Sequence, residues 1–301
     1  MLKNKKIQKA ITVILLAICL CLTGACSLPL APSQPGSNKE SETNANNDKE
    51  NETDANGYVH IYNAKGLEVL KTATDGVYVL ESDIDMSDAE WAHTPKQVFS
   101  GILDGNGHII KNLTTNGLFA IFAGKVENIG FSNAKWSGAQ DGIIADVLAP
   151  KSTPVISNVV IQMAEMPTGA DYNKCGSIAR YMQDQTVCIL ENFVVEMEGN
   201  KIADKGFLFG FSRTSSKVQA SNCYFVTNNM KPVCLRTELI EGTNEFLYYN
   251  AMNLDSDYSN FFSGNLTGCN FLNINVGIAN VYRENFSEQL NIIYDKVCAE
   301  N

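Results

Sequence analysis

The chain has 301 residues, of which 45% are hydrophobic and 19% charged, so it is long enough to bury a substantial core. Lys and Arg number 23 against 33 Asp and Glu, and the resulting net charge of −10 argues against binding to nucleic-acid phosphates or anionic lipid surfaces. Composition by itself does not separate an enzyme from a binding protein.

The first 26 residues combine a basic start, an apolar run and a cysteine that follows small residues. Four lysines precede an apolar run from Ala10 to Leu22, which is short for a membrane span and typical of a signal peptide. The run ends in Leu-Thr-Gly-Ala-Cys26, which resembles a lipobox. We therefore expect a signal peptide over 1–25, a lipidated Cys26, and attachment to the extracytoplasmic face of a bacterial cell membrane. An ordinary secretory signal with an incidental cysteine is the alternative.

Residues 26–57 are predicted to be the lipidated cysteine followed by a disordered polar tether. The segment contains three prolines and then SNKESETNANNDKENETDAN, without an aromatic residue. Such a sequence buries too little apolar surface to offset the entropy lost on ordering. The folded domain is therefore predicted to span 58–301.

A repeated pattern runs through this domain. The segments VENIGFSNA (126–134), ISNVVIQMA (156–164), LENFVVEME (190–198) and ASNCYFVTN (220–228) each place an asparagine before alternating apolar positions. With the related IKNLTT (110–115), the key asparagines are Asn112, Asn128, Asn158, Asn192 and Asn222. A second marker begins at Gly142, Gly176 and Gly206, each 16 residues before the next key asparagine.

This pattern predicts an all-β fold built as a parallel β-helix. Units of about 30 residues indicate a repeat array, and period-two alternation of apolar residues indicates strands. Asparagine tolerates the left-handed backbone conformation of a sharp turn, and its amide can hydrogen-bond to the asparagine of the neighbouring coil. The asparagines are therefore predicted to form a structural ladder.

Residues 76–134 resemble a known family of repeats. The matching positions in the lead-in are Tyr78, Leu80, Asp83, Ile84 and Asp85, and those in the second block are Phe99, Gly101, Asp104 to His108, Ile110, Asn112 and Leu113. The stretch is similar to bacterial surface proteins that carry GLUG-type repeats on a right-handed parallel β-helix. The resemblance implies an extracellular, adhesin-like protein and implies no particular activity.

Caps are predicted at both ends of the domain, since a solenoid exposes an apolar cross-section at each end. An N-terminal cap over 58–75 contains a short helix with Asn63 as its N-cap. A C-terminal helix over 285–298 begins with a capping box at Asn285. One apolar face of this helix is predicted to cover the last coil, and it consists of Leu290, Ile293, Tyr294 and Val297.

Candidate metal ligands and catalytic groups are few. Asp83, Asp85 and Asp88 lie close in sequence, so a calcium site is an alternative to a structural or solvated cluster, although the spacing is not that of an EF-hand. No other cofactor is expected. Serine-hydrolase and zinc-protease motifs are absent from the sequence, and the residue clusters of galacturonase-type β-helices are also missing.

The favoured function is therefore binding or scaffolding. The ligand would be a glycan, a cell-wall polymer or a protein, and nucleic acid is not expected. Exposed aromatic residues would mark a glycan site, and the candidates outside the predicted strands are Trp91, Trp136, Tyr172 and Tyr181. A polysaccharide-active lyase or glycoside hydrolase on the same fold is the alternative.

Six cysteines fall in the folded domain. When they are aligned on the key asparagines, Cys188, Cys223 and Cys269 occupy different positions, Cys269 being counted from Asn270. The alignment predicts that they do not stack in neighbouring coils and favours unpaired, buried thiols over disulfides.

Overall fold

The computed structural model describes residues 49–138, 141–164, 175–197, 206–227, 231–239, 246–250, 261–262, 266, 268–272 and 283–300. For 231–239, 246–250 and 271–272 only the backbone is described. The described residues belong to one compact unit, Glu42–Asn301. They are mostly β-strands in parallel sheets, so the predicted all-β class is confirmed at this level.

The strands follow one another with few helices between them. In chain order they are β1 (Glu52–Thr53), β2 (Val59–Ile61), β3 (Val77–Leu80), β4 (Ile84–Asp85), β5 (Val98–Phe99), β6 (Ile102–Lys111), β7 (Thr114–Thr115), β8 (Phe119–Phe122), β9 (Lys125–Trp136), β10 (Ala145–Leu148), β11 (Val155–Met163), β12 (Ala179–Met182), β13 (Val187–Met197), β14 (Gly206–Arg213), β15 (Lys217–Ser221), β16 (Tyr224–Thr227), β17 (Lys231–Leu239), β18 (Phe246–Asn250) and β19 (Asn270–Leu272).

Two sheets contain these strands. The first has the order β1-β2-β3-β6-β9-β11-β13-β16-β19, with β4, β7 and β15 pairing beside it. The second has the order β18-β17-β14-β12-β10-β8-β5. The β1–β2 and β17–β18 pairs are antiparallel, and the other ladders are parallel. From β8 to β14 the chain alternates between the two sheets, so each strand pairs with the strand two places further along the sequence.

The strand register aligns apolar residues of one repeat with apolar residues of the next. Leu103, Val126, Ile156, Leu190 and Ala220 occupy one position in five neighbouring strands of the first sheet. All five are buried. Apolar side chains stacked in this way form the main core, which also includes residues of the second sheet. The alternation that the sequence shows in each repeat is therefore used to fill one shared interior.

The key asparagines form a hydrogen-bonded row along the first sheet. Asn128, Asn158, Asn192 and Asn222 all have φ of +51° or +52°. The side-chain Nδ2 of each later asparagine donates to the Oδ1 of the asparagine before it in this set. The distances are 2.9 Å from Asn158 to Asn128, 3.1 Å from Asn192 to Asn158 and 3.3 Å from Asn222 to Asn192. At the start of the row, Asn128 donates to Asp104 Oδ1 at 3.0 Å. We call Asp104 and these four residues the asparagine row.

Asn112 does not belong to this row, which corrects the single ladder expected from the sequence. Its Nδ2 donates to Asp85 Oδ1 at 2.9 Å, and its Oδ1 accepts from Asn133 Nδ2 at 2.6 Å. Asn112 and Asn133 both have positive φ, at +57° and +54°. The chain therefore has a second, shorter row, because Asp104 lies within β6 whereas Asn112 lies at a separate bend after the end of that strand.

The glycine markers allow the backbone to pack closely. A Cβ at Gly142 or at Gly176 would lie 2.5 Å from the Cα of Ala179 or Phe209, respectively, on the neighbouring strand of the second sheet. A side chain at either position would force the strands apart. The fixed spacing between these glycines and the asparagine row thus reflects one repeated backbone path.

The N-terminal part begins earlier than predicted. Helix α1 (Ala64–Leu67) has Asn63 as its N-cap, with Gly66 N–H donating to Asn63 Oδ1 at 2.8 Å, as expected from the sequence. A 3-10 helix, Glu68–Lys71, follows. Residues 49–57 were assigned to the tether, but β1 pairs with β2, so the boundary at 58 is wrong. The pairing satisfies backbone groups of a segment that composition alone classified as disordered.

The C-terminal helix α2 (Glu288–Ala299) lies on the first sheet rather than over its last coil. Its N-cap is Ser287, not Asn285. Its buried residues Leu290, Ile293, Tyr294 and Val297 pack on sheet residues Ile109, Val160, Val194, Tyr224 and Val226. These sheet residues alternate with the core residues of the same strands, so the helix covers the opposite, outer face of the first sheet. The predicted end cap is therefore wrong in position, although the buried helix face was predicted correctly.

Contacts at both ends hold α2 across several strands. Ser287 Oγ donates to Asn158 Oδ1 at 2.8 Å, and Lys296 Nζ donates to Asp83 Oδ1 at 3.0 Å. Within the described part of the chain, no helix is both long and apolar enough to span a membrane.

Candidate binding face

Two of the aromatic candidates are buried and are wrong as ligand-binding residues. The exposed fractions of Trp91 and Trp136 are 3% each. The Trp91 indole N–H donates to the carbonyls of Gly117 and Leu118, and that of Trp136 donates to the carbonyl of Gly176 at 3.1 Å. Both rings join the core because large aromatic side chains fill the space between the sheets while the indole nitrogen bonds to backbone carbonyls.

The other two candidates differ in placement. Tyr172 lies outside the described residues. Tyr181 lies in β12 of the second sheet and is partly exposed. It does not contribute to the main core, whereas Ala179 and Met182 of the same strand do. Tyr181 is therefore the aromatic candidate that the structure places on a surface.

Tyr181 stands in a row of apolar residues on the outer face of the second sheet. The strand register puts Val98, Ile121, Val147, Tyr181 and Phe211 side by side across β5, β8, β10, β12 and β14. Val98 is 43% exposed, and Ile121, Tyr181 and Phe211 are partly exposed. We call these five residues the outer row. It crosses the strands at the spacing of neighbouring chains, about 4.8 Å per step.

Aromatic rings and a guanidinium group gather at the end of the outer row. The rings of Tyr181 and Phe211 meet edge to face, with centroids 6.2 Å apart and planes at 86°. The Cζ of Arg213 lies 5.5 Å from the centroid of Tyr181, within cation–π range. Arg213 Nε is 3.3 Å from Asp184 Oδ2, which orients the guanidinium group beside the ring. The cluster is apolar on its rings and polar at its rim.

A second ion pair lies beside the row. Arg180 Nε and Nη2 donate to the two carboxylate oxygens of Asp146 on the neighbouring strand. Both side chains are partly exposed. The aromatic cluster is thus flanked by hydrogen-bonding groups of both charges, a combination suited to holding a ligand that presents both apolar and polar surfaces.

Sequence reasoning missed Phe211 and Arg213, although a signal was present. Val147, Tyr181 and Phe211 each follow their marker glycine by five residues. The repeat therefore fixes which residue of each unit faces outward on the second sheet. Applying the offset to these three units would have placed Val147, Tyr181 and Phe211 in one row from the sequence.

The acidic candidates for a metal site have separate partners. Asp83 Oδ1 accepts from Lys296 Nζ and from Ile109 N–H at 3.1 Å, and His108 Nδ1 lies 3.0 Å away. Burial opposes ionisation of Asp83, but the hydrogen bonds from His108, Lys296 and the Ile109 backbone outweigh it and lower the pKa of Asp83 to about 2. The ion pair with Lys296 therefore links Asp83 to helix α2.

Asp85 and Asp88 do not join Asp83 around a common centre. Asp85 Oδ1 accepts from Ser87 N–H at 2.9 Å and from Asn112, while Asp88 is exposed. Burial opposes ionisation of Asp85 too, but these hydrogen bonds prevail and lower its pKa. Among the described residues, no three His, Cys, Asp or Glu side chains are grouped closely enough to hold a metal ion.

Comparisons with known proteins return one distant likeness. No family model and no curated protein matches the chain. Among solved structures, a crystal structure from Bacteroides ovatus named "putative immunoglobulin A1 protease" matches with 15% identity and a TM-score of 0.44, over 81% of this chain and 89% of that one.

Proposed function

We propose that this protein is a lipid-anchored, extracytoplasmic binding protein that holds a surface glycan chain on the outer row. The observation that carries the proposal is the cluster of Tyr181, Phe211 and Arg213 on a partly exposed sheet face. Its rings can contact the apolar faces of sugars, while the guanidinium and carboxylate groups beside them can hydrogen-bond to hydroxyls.

The direction of the outer row favours an extended ligand. Its residues lie on successive strands, so a linear polymer lying along the row would contact several repeats rather than one pocket. The ring pair and Arg213 at one end would provide most of the binding energy, since aromatic and arginine side chains dominate measured interfaces. The apolar Ile121, which is partly exposed, would extend the contact.

The proposal includes a more specific fold within the all-β class, namely a right-handed parallel β-helix of the kind that carries GLUG-type repeats. It is supported by the alternation of the chain between two parallel sheets and by the repeated asparagine row. Such a fold provides a long flat face with regular spacing, which suits an adhesin-like role.

The proposal also includes the N-terminal region. The signal peptide over 1–25, the lipid on Cys26 and the polar segment after it rest on the sequence motif, and residues 1–48 lie outside the described residues. A diacylated cysteine contributes about 0.8 kcal/mol per buried methylene, so it would hold the domain stably at a membrane. The polar segment would let the domain reach ligands away from the lipid surface.

A glycan array probed with the purified full chain tests this function. Binding to one class of glycan is expected, and Tyr181→Ala or Phe211→Ala should weaken it about 30-fold, the loss for a contact of roughly 2 kcal/mol. Tyr58→Ala is the matched control, because Tyr58 is an aromatic residue 41% exposed and outside the outer row. This variant should bind like the wild type.

Two results would contradict the proposal. If no glycan binds, or if all three variants bind equally, the outer row is not a glycan-binding face. Release of reducing sugars or unsaturated products from the bound glycan would favour the alternative, a polysaccharide-active enzyme on the same fold.

A further inference from the structure

Cys223 and Cys269 are neighbours in the first sheet. Strands β16 and β19 are parallel and pair Tyr224 with Asn270, whose backbone N–H donates to the carbonyl of Cys223 at 2.8 Å. The residue preceding Tyr224 therefore lies beside the residue preceding Asn270.

The asparagine row gives the same alignment. Gly268, with φ of +70°, stacks on Asn222, since a Cβ at Gly268 would collide with Asn222 Oδ1. Gly268, rather than Asn270, thus occupies the asparagine position of this repeat. Counting Cys269 from Asn270 was therefore wrong by two residues, and Cys223 and Cys269 hold the same position in successive repeats.

The two thiols also face the same interior. Cys223 is fully buried in the main core, and the partly exposed Cys269 packs against that core. The two side chains share a hydrogen bond. Neighbouring strands are about 4.8 Å apart, within the range of about 4.4–6.8 Å between the Cα atoms of disulfide-bonded cysteines. A bond between them therefore requires little movement of the backbone.

We propose that Cys223 and Cys269 are a site of reversible disulfide formation that fastens β19 to β16. The oxidant is a small-molecule or protein disulfide, RSSR. The Cys269 thiolate attacks one sulfur of RSSR, forming a mixed disulfide and releasing RS⁻. The Cys223 thiol then loses its proton and attacks the Cys269 sulfur, which releases the second RS⁻. Both leaving thiolates take up protons, so two cysteine thiols and one RSSR give one protein disulfide and two RSH.

The surroundings of the sulfur atoms assign these roles. The hydrogen bond from Cys223 lowers the pKa of Cys269 to about 7, whereas burial raises the pKa of Cys223 well above its ordinary value. Cys269 is therefore the more accessible and more readily ionised thiol that meets the oxidant, and Cys223 is the protected thiol that resolves the mixed disulfide. Cys188 is also buried, and its strand neighbour in β15 is Val218 rather than a cysteine.

Oxidation of the purified full chain with oxidised glutathione tests the proposal. Reduced protein is exposed to the oxidant, alkylated under denaturing conditions, digested with trypsin and analysed by mass spectrometry. Peptides 218–236 and 237–283 should appear linked, and fragmentation should assign the bond to Cys223 rather than to Cys234 of the same peptide. In Cys223→Ser the reaction should end with one glutathione adduct on Cys269. In Cys269→Ser neither the linked peptides nor a glutathione adduct on Cys223 should form.

A thermal measurement and a matched control complete the test. The bond closes a loop of about 45 residues, so oxidation should raise the Tm of the wild type by roughly 10 °C, and adding a dithiol reductant should reverse the rise. Cys188→Ser removes a buried thiol outside the pair and should keep both the linked peptide and the Tm rise. The proposal is overturned if oxidised wild type leaves Cys223 and Cys269 open to alkylation, or if either is found joined to another cysteine.

Discussion

Replacing Asn192 with alanine tests the asparagine row. Asn192 donates to Asn158 at 3.1 Å and accepts from Asn222 at 3.3 Å, with φ of +51°. Asn158 Oδ1 keeps a second donor, Ser287 Oγ at 2.8 Å, so only the Asn222 amide loses its acceptor. That loss costs about 1 kcal/mol in a partly buried position. Holding alanine in the left-handed region costs about 1 kcal/mol more than asparagine. We expect Asn192→Ala to lower the free energy of unfolding by about 2 kcal/mol.

Urea unfolding of the full chain, followed by circular dichroism, measures this loss. Asn192→Gly removes the same hydrogen bonds without the backbone strain, so it should be about 1 kcal/mol more stable than Asn192→Ala. Asn285→Ala, at an exposed residue outside both rows, should remain within about 0.5 kcal/mol of the wild type. If Asn192→Ala unfolds at the wild-type midpoint, or if the glycine variant is the less stable of the two, the reasoning about the row is refuted.

Three further predictions concern helix α2, its ion pair and the membrane anchor. Ile293→Ala removes a fully buried side chain from the α2 face and should lower the free energy of urea unfolding by about 2–4 kcal/mol. Ile292→Ala, at a residue 44% exposed on the same helix, should lower it by less than about 0.5 kcal/mol. Equal losses would show that α2 does not dock as described. Asp83→Asn should lower the free energy of unfolding by about 1 kcal/mol at pH 7, a value that allows for solvent screening of the partly exposed ion pair with Lys296. Because the folded pKa of about 2 lies below the ordinary 3.8, this stabilisation is present above pH 4 and fades as the pH falls towards 2, so a difference that persists at pH 2 would contradict the ion-pair explanation. Labelled palmitate should enter the wild type in a bacterial host and not Cys26→Ser, and equal labelling would remove the lipoprotein proposal.

The sequence was most informative where one residue type is tied to one backbone conformation. Asparagine before alternating apolar residues identified turns with positive φ. The marker glycines identified the repeat, and the structure shows that neighbouring strands approach closely at Gly142 and Gly176. Four of the five key asparagines lie in one hydrogen-bonded row. Asn112 lies in another, because the motif describes a local turn and not which turns come together in space.

Side-chain exposure was less predictable than the backbone path. Trp91 and Trp136 fall outside the predicted strands, which favoured exposed aromatic residues, yet both are buried with their indole N–H groups bonded to backbone carbonyls. Tyr181 was selected by the same criterion and stands on a surface. Being outside a predicted strand does not determine which way a large ring points, since that depends on the space between the sheets.

The asparagine motif of the repeats is only weakly matched near Cys269, and that match was misleading. Asn270 matched the asparagine consensus, but Gly268 takes the turn position, because glycine adopts positive φ even more readily than asparagine. A one-letter match therefore shifted the alignment, and the pairing of β16 with β19 was needed to place Cys269 beside Cys223.

The sequence alone determined the strand-rich repeats, the turn residues and the apolar face of the last helix, since each follows from local conformational preference and periodicity. Only the tertiary structure decided where that helix docks, which aromatic rings are covered and which cysteines meet. These outcomes depend on which distant segments lie side by side, and residues as far apart as Asp83 and Lys296 come into contact only when helix α2 docks on the first sheet.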